Sequence, residues 1–211
     1  MTLEDGMREL GLDLIEPAAS HLHAYVNLLN RWNKRFNLTA VRDPREMIVR
    51  HLLDSLVVTP WLHGKRLIDV GTGGGLPGIP LAIVCPEKRF VLLDSNGKKT
   101  RFLTQVKTEL SLENVDIVHS RVEAYVPAAP FDIVLSRAFA SLNDMIAGCR
   151  NLIAENGQFL AMKGQVPDAE LAALSTAGYH AQVHELSVPG LDEERCLVVI
   201  EGSPQSGSVG T

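Results

Sequence analysis

Between Leu67 and Pro80 a short apolar run, Leu67-Ile68-Asp69-Val70, breaks into Gly71-Thr72-Gly73-Gly74-Gly75 and then into Leu76-Pro77-Gly78-Ile79-Pro80. Few folds accommodate such a stretch. Apolar residues yielding to glycines and then to a helical pattern read as a strand, a tight loop and a helix start, the unit that holds a nucleotide-like ligand at the carboxyl end of a parallel sheet. One tight turn does not need five glycines within eight residues, so the loop reads as a ligand cradle. Gly73, Gly75 and Gly78 satisfy a literal G-x-G-x-x-G, the dinucleotide pattern, but their neighbours argue against a pyrophosphate. Pro77 and Pro80 each remove a backbone N–H from the first helical turn, and Asp69 places a carboxylate at the strand end. That carboxylate would repel a diphosphate and suit the ammonium or sulfonium of S-adenosylmethionine, directly or through water. The residues favour S-adenosylmethionine over NAD.

The pattern on either side extends this unit into a sheet. Leu22, Tyr25, Val26, Leu29, Trp32 and Phe36 recur at helical spacing, which predicts an amphipathic helix over His21 to Phe36. Asp43, Pro44 and Glu46 read as cap, first and third positions of a second helix running to about Val58. After the glycine loop come a helix over Pro77 to Val84 and a buried strand, Phe90 to Asp94. Asp94 lies about twenty residues beyond the loop, the distance at which a carboxylate reaches a ribose hydroxyl pair; its alternative role is to cap the helix beginning near Gly97. Further helices are expected at 98–112, 142–152 and 167–176, and further strands at 115–119, 131–135, 159–162, 181–186 and 196–201. Strands alternating with helices, then two strands close together, predict an α/β fold: a doubly wound, seven-stranded mixed sheet with an antiparallel final hairpin. The expected organisation is a helical layer over residues 1–60, a ligand-binding domain over 61–201, and a Gly/Ser/Pro-rich flexible tail over 202–211.

A chain of 211 residues with 45% hydrophobic content can bury a sizeable core. No apolar stretch reaches membrane-spanning length and no signal pattern opens the chain, so a cytoplasmic protein without a membrane partner is expected. Cys85, Cys149 and Cys196 are far apart, which suggests neither disulfide nor metal. The net charge of -5 hides an asymmetry: residues 31–50 hold six basic residues against two acids, and Lys98, Lys99, Arg101 and Lys107 enclose no acid. Basic patches on an acidic protein suit a localised anionic partner such as RNA, or else are solvated helix faces.

Several segments carry a resemblance. Trp32-Asn33-Lys34-Arg35-Phe36-Asn37-Leu38-Thr39, Arg50-His51-Leu52-Leu53-Asp54-Ser55, the glycine loop, Leu93-Asp94-Ser95, Ser120-Arg121-Val122-Glu123 and Ser136-Arg137-Ala138-Phe139-Ala140 resemble the bacterial small-subunit ribosomal RNA methyltransferase G family, also called glucose-inhibited division protein B. The resemblance implies a class I S-adenosylmethionine-dependent methyltransferase fold, Rossmann-like. It also implies methyl transfer to N7 of one guanine in the decoding-region loop of 16S rRNA, with the rRNA or the small ribosomal subunit as partner and a monomeric enzyme. Carried over by residue, cofactor contacts are Gly71 and Leu76, Val122 and Glu123 beside the adenine, and Arg137 near the methionine end. Gly73 in the loop and Asp94 at the ribose join them from the residue reading. Position 74, glycine here, is commonly proline in relatives.

The chemistry agrees with what the sequence lacks. Guanine N7 carries an in-plane lone pair, so no base is required and no catalytic residue is assigned; alignment and electrostatics suffice. Cys85 precedes Pro86, so there is no Pro-Cys nucleophile, and the fourth strand ends in Ser-Arg-Ala-Phe where exocyclic-amine enzymes carry Asn/Asp-Pro-Pro-Tyr. Candidate RNA contacts are Asn37, Arg121, Phe139 and Lys163: Arg121 and Lys163 for phosphates, Phe139 for stacking on an extruded base, Asn37 for substrate or for capping. Phe139 as core, Lys163 in a surface ion pair and His51 as a buried hydrogen-bonded histidine are the plainer readings. A small-molecule methyltransferase and a non-catalytic nucleotide-binding regulator on the same fold are the alternatives.

Overall fold

The computed structural model describes residues 1–13 and 16–202; of the tail expected over 202–211, all but Gly202 lies outside them. Its seven strands are β1 Arg66–Val70, β2 Arg89–Asp94, β3 Val115–His119, β4 Phe131–Ser136, β5 Ile153–Lys163, β6 Ala181–Glu185 and β7 Cys196–Glu201. They lie in one sheet in the order β3-β2-β1-β4-β5-β7-β6. The first five run parallel, and β7 pairs antiparallel with both β5 and β6. Strand order reverses between β1 and β4, which opens a crevice at their carboxyl ends.

Helices α1 Leu3–Glu9, α2 Ala18–Phe36, α3 Pro44–Met47 and α4 Asp54–Leu56 precede the sheet; a π-helical stretch, Ile48–Leu53, joins α3 to α4. Then follow α5 Gly78–Val84, α6 Gly97–Glu109, α7 Leu142–Cys149 and α8 Asp168–Thr176. Alternation along each strand feeds two cores. Leu67, Leu92, Ile133 and Leu160 join the first four helices, α5 and α6 on one face. Ile68, Val134, Phe159 and Val198 meet α7 and α8 on the other. The N-terminal helices therefore share a core with the sheet, through Leu22, Tyr25 and Leu29 of α2 beside Phe102 and Leu103 of α6.

Boundaries moved where side-chain pattern and backbone pairing disagree. Helix α1 was not expected, although Thr2 caps it by accepting the Asp5 N–H. The second expected helix, to about Val58, has its middle turns wound as π-helix. β5 begins six residues before its expected start: Phe131 pairs with Ile153, the register then shifts, and Ile133 pairs with Gln158. The intervening Glu155 and Asn156 disguise the strand as a polar loop, because a bulge breaks the two-residue alternation.

Candidate methyl-donor cleft and its neighbour

The glycine loop is shaped by carboxylates at the ends of β1 and β2. Asp69 is fully buried, and its Oδ2 accepts the Thr72 hydroxyl at 2.6 Å and the Gly78 N–H at 2.9 Å. Oδ1 has no hydrogen-bond partner among the described residues. Burial pushes this carboxyl up to about 6, against the Thr72 and Gly78 hydrogen bonds and the Arg137 charge. Asp69 does not line the cleft, so direct contact with a ligand cation gives way to a role in folding the loop around its side chain.

Asp94 is different. Its Oδ2 accepts the Gly73 N–H at 2.9 Å, its Oδ1 accepts the Asn96 N–H at 2.8 Å, and the Lys99 ammonium lies 3.6 Å from Oδ2. The cap of α6 is Asn96, which accepts the Lys98 N–H, so Asp94 is not needed there and its carboxylate borders the crevice. Gly71 sits at φ +70°, where an added Cβ would come within 2.7 Å of the Ala138 Cβ; only glycine lets the β1 loop pass the β4 loop so closely. Ser136 locks that approach, donating to the Val70 carbonyl at 2.8 Å and accepting the Ala138 N–H at 3.0 Å. Beneath the loop, the buried Tyr25 hydroxyl of α2 donates to the Gly74 carbonyl at 2.7 Å.

The cleft so formed has a volume of about 370 Å³, within the roughly 300–1,000 Å³ of small-molecule sites. Gly71, Asp94, Arg121, Val122, Glu123 and Phe139 all line it. Expected partners Gly73 and Leu76 stand behind this lining: Gly73 hydrogen-bonds to Asp94, and half-buried Leu76 packs on the core. Arg137 lines a neighbouring cleft of about 290 Å³ with Asp54, Lys163 and Arg195. Its Nη1 is 3.3 Å from Asp54 Oδ2. Lys163 Nζ lies 3.3 Å from Glu170 Oε2, itself the acceptor of the Leu142 N–H; an ion pair thus holds the lysine expected at a phosphate. Asn37 ends α2 in the left-handed conformation at φ 48°, and its Oδ1 accepts from Arg42.

Lys99, Ser95 and Ser120 line the cleft without having been singled out. Lys99 was legible only as one charge in a basic run; its place in the first turn after the Asp94 strand was the signal. Asp54 and Arg195 were not assigned either, because 141 residues separate them in sequence. His51 is buried, with Nδ1 2.9 Å from the Arg50 carbonyl and Nε2 2.8 Å from the Thr39 hydroxyl. A carbonyl can only accept, so Nδ1 carries the proton and Nε2 accepts from Thr39; burial lowers the imidazole's affinity for a second proton. The basic segment is partly neutralised from elsewhere: Arg31 pairs with Glu109 and Arg50 with Glu193, while Lys34 and Arg35 stay exposed. Among the described residues no group of His, Cys, Asp or Glu could hold a metal ion, and no helix is long and apolar enough to cross a membrane.

Residues 18–198 match the family model described as rRNA small subunit methyltransferase G. A relative of that name from Salmonella arizonae is 57% identical over 195 residues, covering 92% of this chain and 94% of its own. One from Escherichia coli is 56% identical over 197 residues, covering 93% and 95%. Among solved structures, the chain is similar to magnesium protoporphyrin IX methyltransferase of Synechocystis PCC 6803 with bound SAM, at a TM-score of 0.59 and 16% identity over 90% of this chain and 99% of that one. It is also similar to a glycopeptide N-methyltransferase, at a TM-score of 0.60 and 11% identity over 75% and 99%. These two likenesses show the fold, the class I methyltransferase architecture expected from the sequence.

Proposed function

The chain belongs to the rRNA small subunit methyltransferase G family, and from that premise we propose that it transfers a methyl group from S-adenosylmethionine to N7 of one guanine in the decoding-region loop of 16S rRNA. The observation that carries the reading is the cleft over Gly71 and Asp94, at the carboxyl ends of the strands where the sheet order reverses. Its residues fit the cofactor. Asp94 keeps lone pairs beyond those used by Gly73 and Asn96 and accepts from a ribose hydroxyl pair; Val122 and Glu123 flank the adenine; Gly71 keeps the wall thin; Arg137, which lines the neighbouring cleft, meets the methionine end at the border of the two. S-adenosylmethionine supplies an electrophilic methyl group on a sulfonium.

The protein's own part is to orient and to exclude water. Guanine N7 needs no deprotonation, and His51 has both ring nitrogens engaged by Thr39 and the Arg50 carbonyl. Burial pushes all three cysteine thiols up, Cys85 to about 11 and Cys149 to about 12, which disfavours a thiolate for attack on a pyrimidine. Phe139 lies in the cleft wall, half-buried and packed on the core beneath α7, where its exposed edge supports an extruded guanine. Arg121 at the rim and exposed Lys34 and Arg35 on α2 receive RNA phosphates; Lys163 would first have to exchange Glu170 for a phosphate. The site of action is the cytoplasm, where the small subunit is assembled.

The test is transfer of labelled methyl from S-adenosylmethionine to 16S rRNA, presented naked and as the intact small subunit, with 7-methylguanine mapped by its selective strand cleavage. The expected result is one modified guanine. No incorporation into either form, with cofactor binding intact, would move the assignment to a small-molecule acceptor.

A further inference from the structure

Asp54 is the most deeply buried titratable group of the second cleft, 1% exposed, and it contributes nothing to the wall of the first. A carboxylate so placed must be paired, because burial of a lone charge is prohibitive. Its two oxygens are divided between two arginines from distant parts of the chain. Oδ1 takes the Arg195 Nε at 2.8 Å, and Oδ2 faces the Arg137 Nη1 at 3.3 Å. Arg195 is itself tied down, with Nη2 3.0 Å from Glu193 Oε2, and Glu193 Oε1 holds Arg50 Nη2 at 2.7 Å.

The result is a chain of five charges, Arg50–Glu193–Arg195–Asp54–Arg137, in which both carboxylates are satisfied on two sides. Three cations against two anions leave one surplus positive charge. The Arg50 end lies on the outer surface beside Glu193. The Arg137 end stands beside the glycine loop, close enough for its charge to act on the buried Asp69 and Tyr25. Arg137 has a longer ion-pair distance than Arg195 on the same carboxylate, so the guanidinium is oriented by Asp54 without being consumed by it.

We infer that Asp54 and Arg195 are positioning residues: Arg195 fixes the buried Asp54 carboxylate, and Asp54 aims the Arg137 guanidinium across the border of the two clefts at an anionic oxygen group of a bound molecule. This rests on the reading of Arg137 given above. The group has two chemical sources, the methyl donor's carboxylate and an RNA phosphate. Arg195 also lines the second cleft, but its Nε, Nη1 and Nη2 are held by Asp54, the Glu194 carbonyl and Glu193, so it acts through Asp54 and its effect on binding must run through Arg137.

The experiment is a double-mutant cycle on the full chain with Arg195→Gln, Arg137→Gln and both together. Dissociation constants are measured for S-adenosylmethionine, for its decarboxylated analogue and for the small ribosomal subunit. The expected result is that Arg195→Gln weakens the same ligand as Arg137→Gln, by roughly five- to tenfold, and has no further effect once Arg137 is glutamine. A loss for S-adenosylmethionine that the decarboxylated analogue does not share identifies the carboxylate; a loss for the subunit alone identifies a phosphate. An Arg195→Gln effect that is absent, or that persists undiminished in the Arg137→Gln background, overturns the positioning role while leaving Arg137 in place. If Arg137→Gln changes none of the three constants, it is the reading of Arg137 that fails. Should Arg195→Gln not fold, Arg195→Lys keeps the charge on Asp54 but loses the planar fork; a two- to threefold loss confined to the Arg137 ligand supports the inference, and wild-type affinity overturns it.

Discussion

Two aspartates at adjacent strand ends look alike in sequence and do different work. Asp94 borders solvent in the cleft and already spends one lone pair of each oxygen on a backbone N–H. Removing it takes away the proposed ribose acceptor and also frees Gly73, so Asp94→Ala is expected to weaken S-adenosylmethionine binding by more than roughly tenfold, as read by calorimetric titration. An unchanged constant would remove Asp94 from the site. Asp69 holds its proton more tightly folded than unfolded, up to about 6 against an ordinary 3.8. Its contribution to stability is therefore full below about pH 3.8 and lost as pH rises through about 6. The prediction is that the unfolding free energy of the wild type, relative to Asp69→Asn, increases as pH falls from about 6 to 4, by an amount on the order of 2 kcal/mol. A difference independent of pH in denaturant titrations would show that Asp69 is ionised throughout.

Among the elements, α2 joins the exposed basic face to the glycine loop. Its outer side presents Lys34 and Arg35, and its inner side carries Tyr25, whose hydroxyl is the hydrogen-bond donor to the Gly74 carbonyl. Gly74 also packs closely under this helix, since a Cβ there would come within 3.3 Å of Leu29 Cδ1. Tyr25→Phe keeps the ring packed against Phe102 but leaves a buried carbonyl unsatisfied. The expected cost is about 1–2 kcal/mol in thermal or denaturant stability, with S-adenosylmethionine affinity falling severalfold because the loop loses its support. If affinity is untouched while stability falls, α2 supports the fold and not the site. The element boundaries tell a related story. β7 was readable because Cys196 to Ile200 run apolar without interruption, and β1 and β3 because each is mostly apolar with a single acid inside; β5 was cut short because its first half is polar and bulged.

Across the whole molecule, the N-terminal helices have no core of their own. Leu22, Leu29, Leu52 and Leu56 belong to the same buried cluster as β1, β2, α5 and α6. Trp32 lies on α2, whereas the Trp61 ring packs on His184 of β6, so in a Trp61→Phe background the remaining fluorescence reports the helical layer while far-ultraviolet circular dichroism reports the sheet as well. A shared core predicts coincident unfolding curves by the two probes. Fluorescence that changes at clearly lower denaturant would mean that the helical layer detaches by itself.

What the sequence determined by itself was local or periodic: the glycine loop, the alternation of strands with helices, the acid ending β2, and the familiar segments that named the family. Each depends on neighbours within a few residues or on a fixed repeat, and so leaves a pattern that can be read along the chain. What only the tertiary structure decided depends on groups brought together across the sheet. Asp69 turned inward to Thr72 and Gly78; Lys163 found Glu170; Asp54 came to lie between Arg137 and Arg195. A carboxylate at a strand end has the same letter whether it faces a ligand or a buried arginine, and the difference is made by burial and charge pairing, which exist only once the chain has folded.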